Sequence, residues 1–379
     1  MRKSRTLKLF IDAHVFDGPY QGSRTFIEGI YNYLAKKKDL ELFIAAHDVG
    51  NLKKYFPSSE NVHFIRYKTR SRFIRLLLEI PSLIRKNKID WAHFQYIAPI
   101  MKNCKFIVSI HDMIFRDLPG EYSLSYRFSK TMLYKISALR ADILTTVSAY
   151  SEVTIKKHLS IKEKIIHIIP NGISKIFFRN YDKAKAAEFI KQKYGCINYI
   201  LYVSRIEPRK NHVFLLKAYI ELELYKKGIM LVLLGHHAMD VPQFDRLLAK
   251  QTEEIRKNIF MKADVANEAL LQFYRAAVVV VYPSKAEGFG IPPLEAAALK
   301  VPVICSNSSA MSEFEFFDEN HVDPLNYNEF RERLKITTQS RVDDEKLSEI
   351  SNIIREKYSW THSSEKLYHV ILDQEHKSP

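Results

Sequence analysis

The sequence predicts an α/β protein made of two doubly wound parallel-sheet domains in tandem. Three observations predict it. A chain of 379 residues is longer than one hydrophobic core usually serves. Short apolar runs alternate with stretches whose apolar residues recur at helical spacing, and this series occurs twice. A charged helical stretch, residues 175–195, separates the two series as a hinge would. The expected divisions are 1–174 for a first domain, 175–355 for a second, and 356–379 for a terminal helix expected to return to the first.

The elements follow in order. Leu7–Ile11 reads as the first strand. Asp12 to Arg24 is a loop rich in turn residues. Thr25 to Lys37 then places Phe26, Ile27, Ile30, Tyr33 and Leu34 on one helical face. Further strands are expected at Leu42–Ala46, Val62–Ile65, Trp91–Gln95, Phe106–Ile110, Ile143–Val147 and Ile165–Ile169. Pro170-Asn-Gly-Ile173 is the turn that closes this domain. The second series begins with a strand at Tyr199–Val203, a loop at Ser204–Asn211 and a helix from Val213 to Leu224. Strands at Met230–Leu234 and Ile259–Met261 follow, then a helix from Glu268 to Ala277. The apolar run Ala276–Val281, ended by Tyr282-Pro, reads as a fully buried parallel strand. A helix starts at Pro292, where prolines in the first turn cost no hydrogen bond. Val301–Cys305 is a further strand. Asp344 to Gln374 is largely helical, broken at Tyr358-Ser-Trp360.

Composition narrows the class. Hydrophobic residues make up 46% and charged residues 27%, which excludes a disordered or fibrous chain. Three scattered cysteines suit a reducing compartment and no structural zinc. The apolar part of the N-terminus is too short for a signal peptide, and no apolar run approaches the roughly 20 residues of a spanning helix. The expectation is a cytoplasmic protein held peripherally at the inner face of a membrane.

The net charge of +15 is unevenly placed. The first 174 residues hold 29 Lys+Arg against 15 Asp+Glu, and the remainder 29 against 28. A basic half implies an anionic partner: membrane lipid, a phosphorylated acceptor or nucleic acid. Nucleic acid is set aside because no aromatic-basic RNA motif accompanies the charge. Arg66 to Lys88 interleaves eight cations with Phe73, Ile74, Leu76, Leu77, Leu78, Ile80, Leu83 and Ile84. That pattern suits a basic amphipathic helix on an anionic bilayer. It equally suits a helix that covers a sheet and turns a basic face to water.

The chemistry gathers at strand ends. Glu287-Gly-Phe-Gly290 lies between the valine strand and the next helix. Backbone N–H groups of such a loop, with a helix N-terminus behind them, suit a phosphate. Glu287 and Glu295 flank it, and a carboxylate beside a phosphate site needs another task, such as accepting hydrogen bonds from sugar hydroxyls. Arg205 and Lys210 follow the Tyr199–Val203 strand and suit a diphosphate, with Arg209 able to compete with either. Gly22 and Arg24, at the entrance of the first helix, are candidate acceptor-binding residues; a plain turn explains them as well. The chain has no Gly-x-Gly-x-x-Gly, which weakens a dinucleotide-cofactor reading. It has no Asp-x-Asp, so a metal clamp is not indicated.

Val203-Ser-Arg-Ile-Glu-Pro-Arg-Lys-Asn211, taken with Glu287-Gly-Phe-Gly-Ile-Pro-Pro-Leu-Glu295, resembles the retaining GT-B glycosyltransferases of family four, many of them mannosyltransferases of bacterial polysaccharide synthesis. Ile110-His-Asp112, Thr146-Val-Ser148, Ile169-Pro-Asn-Gly172 and Tyr358-Ser-Trp360 extend the likeness along most of the chain. The resemblance implies the GT-B fold, two Rossmann-like domains facing a cleft. It implies no cofactor beyond a nucleotide diphosphate sugar as substrate, with GDP-mannose the first candidate, and a glycan or lipid-linked acceptor. Arg205 and Lys210 would neutralise the diphosphate, Glu287 would contact the donor sugar, and Glu295 would hold the ribose. Gly288 and the backbone amides of Phe289, Gly290 and Ile291 would meet phosphate or sugar oxygens. Val265, at the end of the Lys262–Val265 loop, would lie near the base, and His111 would face the donor sugar. The single glycine in the first loop, Gly22 followed by Ser23 and Arg24, departs from the paired glycines usual in that family. Two other readings stay open: an NAD-dependent or nucleotide-sugar-modifying Rossmann enzyme, and a non-catalytic subunit with a glycosyltransferase-like fold.

Overall fold

The computed structural model describes residues 6–18 and 21–376. The basic start, Met1–Arg5, and Pro19-Tyr20 within the first loop lie outside the described residues. The chain divides into two compact units. One spans the residues up to Gly172 together with the segment from Tyr358, and the other spans Ile173–Lys357.

The first unit holds seven parallel strands: β1 (Leu7–Asp12), β2 (Leu40–Ala46), β3 (Val62–Arg66), β4 (Trp91–Gln95), β5 (Lys105–Ser109), β6 (Ile143–Thr146) and β7 (Ile166–Ile168). Their order is β3-β2-β1-β4-β5-β6-β7. The chain builds outward on one side of β1, then crosses to the other side at β4. Such a reversal leaves a crevice at the carboxyl ends of the two central strands. Helices cover both faces, so strands such as β4 are buried throughout. Phe10, Phe94 and Phe106 are fully buried, each worth about 2 kcal/mol of apolar transfer.

The second unit holds β8 (Tyr199–Val203), β9 (Met230–Leu234), β10 (Ile259–Lys262), β11 (Val279–Tyr282), β12 (Val303–Ser306) and β13 (His321–Val322). Their order, β10-β9-β8-β11-β12-β13, puts the reversal between β8 and β11. All pairings are parallel, with Val279 opposite Ile200 and Val280 opposite Leu201.

The last helix, Trp360–His376, belongs to the first unit and packs along the helix Gly22–Leu34. Two glycines make room for Trp360. A Cβ at Gly29 would come within 2.1 Å of its ring, and one at Gly172 within 2.3 Å of its backbone nitrogen. Ser363 Oγ donates to the Pro170 carbonyl at 2.7 Å, and Ser364 Oγ to that of Ile30 at 3.3 Å.

The basic stretch at 66–88 is more broken than its periodicity suggests. β3 ends at Arg66, a loop follows, and the helix begins only at Arg72. Arg75–Glu79 is π-helical and leads into the helix Ile80–Asn87. Arg75 turns inward over the Tyr67 ring, 5.4 Å from its centroid, and so does not join a basic outer face. No helix among the described residues is long and apolar enough to cross a membrane.

Candidate functional site

In the second unit, the two strands flanking the reversal each end in a loop loaded with charge. After β8 the chain runs through Ser204–Glu207 into a single 3-10 turn, Pro208–Lys210. Asn211 closes it with φ +59°, and its side chain donates to the Pro324 carbonyl at 2.9 Å. The turn aims Arg209 and Lys210 inward, and both are buried. After β11, Pro283–Gly290 forms the second loop and the helix Ile291–Ala298 follows. Gly290 has φ +109°, where side chains are strained, and a Cβ there would press on Met311 and Phe314 at 3.0 and 3.1 Å. The glycine therefore lets the loop turn into the helix beneath those two side chains.

Glu287 is the hub. Its Oε1 accepts from Lys210 Nζ at 2.5 Å, Ser284 Oγ at 2.6 Å and Arg209 Nη1 at 3.0 Å. Its backbone N–H donates to Ser309 Oγ at 2.8 Å, which fixes the loop. Burial alone would raise its pKa, but Arg209 and Lys210 outweigh burial and hold it at about 2. Burial acts the other way on Lys210: it is lowered to about 8, with Glu287 opposing the shift. Lys210 Nζ also donates to Tyr282 OH at 2.9 Å, and Tyr202 OH donates to the Lys210 carbonyl at 2.6 Å.

Glu207 is a second carboxylate that motif reading passed over. It accepts from Arg209 Nε at 2.9 Å and pairs with Arg205 Nη2 at 2.9 Å. The cluster thus holds Arg205, Arg209 and Lys210 against Glu207 and Glu287, one positive charge in excess. Arg205, with its side chain 44% exposed, sits at the outer rim. Arg209, not Arg205, shares Glu287 with Lys210. The run Glu-Pro-Arg-Lys carried the signal, because Pro208 forces a tight turn whose following cations point the same way.

The remaining residues of the donor set have separate places. Glu295 lies in the helix Ile291–Ala298 and accepts from Tyr274 OH at 3.0 Å. Burial raises its pKa to about 7. Gly288, Phe289 and Gly290 are buried, while Ile291 is half-buried at the first turn. Phe289 meets Phe314 edge to face at 6.1 Å. Val265, half-buried, lies in the loop after β10, three positions past the last strand residue.

In the first unit, His111 follows β5 and is buried. Its Nε2 lies 2.5 Å from Gln95 Oε1, so with that acceptor the proton sits on Nε2. Gln95 Nε2 approaches His93 Nε2 at 3.3 Å, and His93 reaches Ser109 Oγ at 2.7 Å and Tyr31 OH at 2.5 Å. Burial lowers His111 to about 4 and His93 to about 3, so both are neutral at pH 7. Ser151 Oγ donates to the His111 carbonyl at 2.8 Å. Gly22 is exposed at the start of its helix. Arg24 is buried, its guanidinium stacked over Phe16 at 4.8 Å and Tyr55 at 4.3 Å. Asp12, at the end of β1, accepts from Tyr67 OH at 2.9 Å and pairs with His14 at 3.0 Å.

Comparison with known proteins shows the family. Residues 183–356 match the family model of Glycosyl transferases group 1, and residues 20–175 match that of Glycosyltransferase Family 4. The O-antigen chain mannosyltransferase B of Escherichia coli is 28% identical over 297 residues, covering 73% of this chain and 75% of that protein. The O-antigen chain mannosyltransferase RfbU of Salmonella typhimurium is 28% identical over 223 residues, covering 58% and 56%. Among solved structures, sucrose-phosphate synthase from Thermosynechococcus elongatus superimposes with a TM-score of 0.77 at 18% identity, over 99% of this chain and 100% of that one.

Proposed function

The chain belongs to the GT-B glycosyltransferases, a Family 4 domain followed by a group 1 domain, and on that premise we propose that it transfers a hexose from a nucleoside diphosphate sugar to a glycan or lipid-linked glycan with retention of anomeric configuration. The leading donor is GDP-mannose, because relatives at 28% identity are O-antigen mannosyltransferases. Surface polysaccharide synthesis is the corresponding process.

The observation that carries this reading is the buried Arg209–Lys210–Glu287 cluster at the β8/β11 reversal. Its cations already tolerate burial because a carboxylate neutralises them. An arriving diphosphate can take over that neutralisation. As the bond from the anomeric carbon to the phosphate oxygen breaks, negative charge grows on the leaving group. Lys210, Arg205 and the amides of Phe289, Gly290 and Ile291 then stabilise it, and removing one such donor costs about 3 kcal/mol. The departing phosphate takes the acceptor hydroxyl's proton from the same face, which gives retention. Charge neutralisation by side chains makes the reaction independent of a divalent metal. Glu287 hydrogen-bonds the donor sugar and Glu295 the ribose.

The test is turnover with a panel of nucleotide sugars, read as nucleoside diphosphate release, with the product's anomeric configuration by NMR. GDP-mannose should give the highest rate, EDTA should leave it unchanged, and Lys210→Ala should lower it about 100-fold. Absence of both turnover and thermal stabilisation with every nucleotide sugar tried would overturn the reading.

A further inference from the structure

A cavity of about 270 Å³ opens in the second unit between two helices, Lys183–Tyr194 and Asn267–Ala276, which pack against each other. Sequence spacing sets its walls. Lys185 and Phe189 stand one turn apart on the first helix, and Gln272 and Arg275 one turn apart on the second, so each pair shares a face. Asn180 and Tyr181 close one end, just ahead of the first helix. Ala186 is buried and adds only a methyl group to the lining.

The walls are fixed. Tyr181 OH donates to the Leu299 carbonyl at 2.8 Å, and the Arg275 guanidinium lies over the Tyr181 ring, 5.1 Å from its centroid. Tyr274, next to Arg275, donates to Glu295 and ties the second helix down. Asp182 caps the first helix, accepting from the N–H groups of Ala184 and Lys185 at 2.9 and 3.1 Å. Lys185 Nζ lies 3.8 Å from the same carboxylate. Lys185 and Asp182 offset each other, which leaves Arg275 as the net charge of the lining.

The other polar groups of the lining are unused. Among the described residues, the side-chain amides of Asn180 and Gln272 have no hydrogen-bond partner, buried Arg275 Nε has none, and no carboxylate pairs with Arg275. A guanidinium without a carboxylate suits a phosphate, whose oxygens match its fork of donors. A primary amide offers a donor and an acceptor side by side, as neighbouring sugar hydroxyls require. Phe189, 39% exposed, offers an apolar surface to the C–H face of a ring. The volume falls just below the roughly 300–1,000 Å³ of pockets for drug-sized ligands, so it admits one sugar ring and not a nucleotide sugar.

We infer that this cavity binds a hexose phosphate, with the phosphate on Arg275, the hydroxyls on Asn180 and Gln272, and the ring against Phe189. None of Arg209, Lys210 and Glu287 lines it. The inference does not depend on the donor reading, because this binding needs neither a nucleotide sugar nor turnover.

The experiment titrates the full chain, methyl-labelled at alanine, with mannose 6-phosphate, and separately with mannose and with inorganic phosphate. Mannose 6-phosphate should move the Ala186 methyl resonance to saturation, and mannose or phosphate alone should bind about tenfold more weakly or worse. Arg275→Gln and Gln272→Leu should each weaken binding by about tenfold. Gln272→Leu should leave the melting temperature unchanged, because its amide makes no hydrogen bond that the change would remove. Lys210→Ala should leave the affinity for mannose 6-phosphate unchanged. Mannose or inorganic phosphate binding as tightly as mannose 6-phosphate would overturn the inference, since only one part of the lining would then be in use. So would an unmoved Ala186 methyl or full affinity in both variants. Loss of binding in Lys210→Ala would overturn it too, by assigning the ligand to the cluster at the ends of β8 and β11.

Discussion

At the edge where β8 and β11 part, burial is made tolerable by opposite charges. Lys210 and Arg209 each lie within hydrogen-bond distance of the Glu287 carboxylate, and Glu207 holds the outer side of Arg209. Along β4 and β5 of the first unit, burial is made tolerable by neutrality. His111, Gln95, His93, Ser109 and Tyr31 form a chain in which each polar group meets another without net charge. Both sheets reverse their strand order at the centre, and both place polar residues at the carboxyl ends of central strands. The same topology therefore supports two electrostatic solutions. A charged cluster can exchange an internal carboxylate for an incoming anion. A closed neutral chain has nothing to exchange, so it suits holding one imidazole in one orientation and tautomer.

The largest effect expected from breaking this contrast is at Glu287. Glu287→Ala should abolish transfer and also cost about 3 kcal/mol of stability, since Lys210 and Arg209 would remain buried without their carboxylate. Added GDP or inorganic pyrophosphate should restore part of that loss, because an anion can occupy the vacated side of the cations. Arg205→Ala should change stability by less than about 0.5 kcal/mol, since that side chain lies at the rim. Chemical denaturation with and without nucleotide reads all three. Equal stability of the Glu287 and Arg205 variants would mean that the cluster is not held by charge pairing.

A smaller effect is expected from the neutral chain. Gln95→Leu removes the acceptor of His111 Nε2–H and the donor facing His93. The buried groups left unpaired should cost about 1–3 kcal/mol. Gln95→Glu sharpens the comparison, because it places a charge where the chain has none. A buried carboxylate there should raise the His111 pKa from its lowered position near 4, visible in the imidazole carbon shifts by NMR. An unmoved His111 titration in Gln95→Glu would show that Gln95 does not set its state.

The strand pattern was legible because it depends on burial. β1, β8 and β11 are apolar runs of the length that a doubly covered parallel sheet requires, and each appears within three residues of its expected place. β13 was not legible: two residues, His321 and Val322, pair with Cys305 and Ser306, and no pattern of that length stands out. The site was legible as a list of charges but not as a geometry. Sequence marked Arg205 and Lys210, with Arg209 as a competitor. Which arginine turns inward depends on the 3-10 turn after Pro208, and the φ of Asn211 completes it. Glu207 escaped notice because a glutamate before proline looks like an ordinary loop residue. Its meaning comes from two arginines that reach it only once the turn has formed. The exposed apolar stripe from Leu124 to Leu139, on the helix Leu124–Arg140, was invisible for the opposite reason. Periodicity shows that apolar residues share a face, not whether anything covers it.

The smallest expected effect is in pH dependence, and it separates the two members of the central pair. Lys210 has a folded pKa of about 8, below its ordinary 10.5. The unfolded chain therefore binds more protons there between about pH 8 and 10.5, and this group's contribution to stability rises with pH across that window. Catalysis should move the other way, because the neutral amine no longer balances the leaving phosphate. The rate should fall as pH rises through about 8 while stability does not fall with it. Glu287, at about 2 against an ordinary 4.5, contributes stability that is present above pH 4.5 and lost as pH drops toward 2. Lys210→Arg, whose guanidinium stays charged, should flatten the alkaline limb of the rate profile at a lower maximum. Retention of the full alkaline fall in that variant would assign the titration to a group other than Lys210.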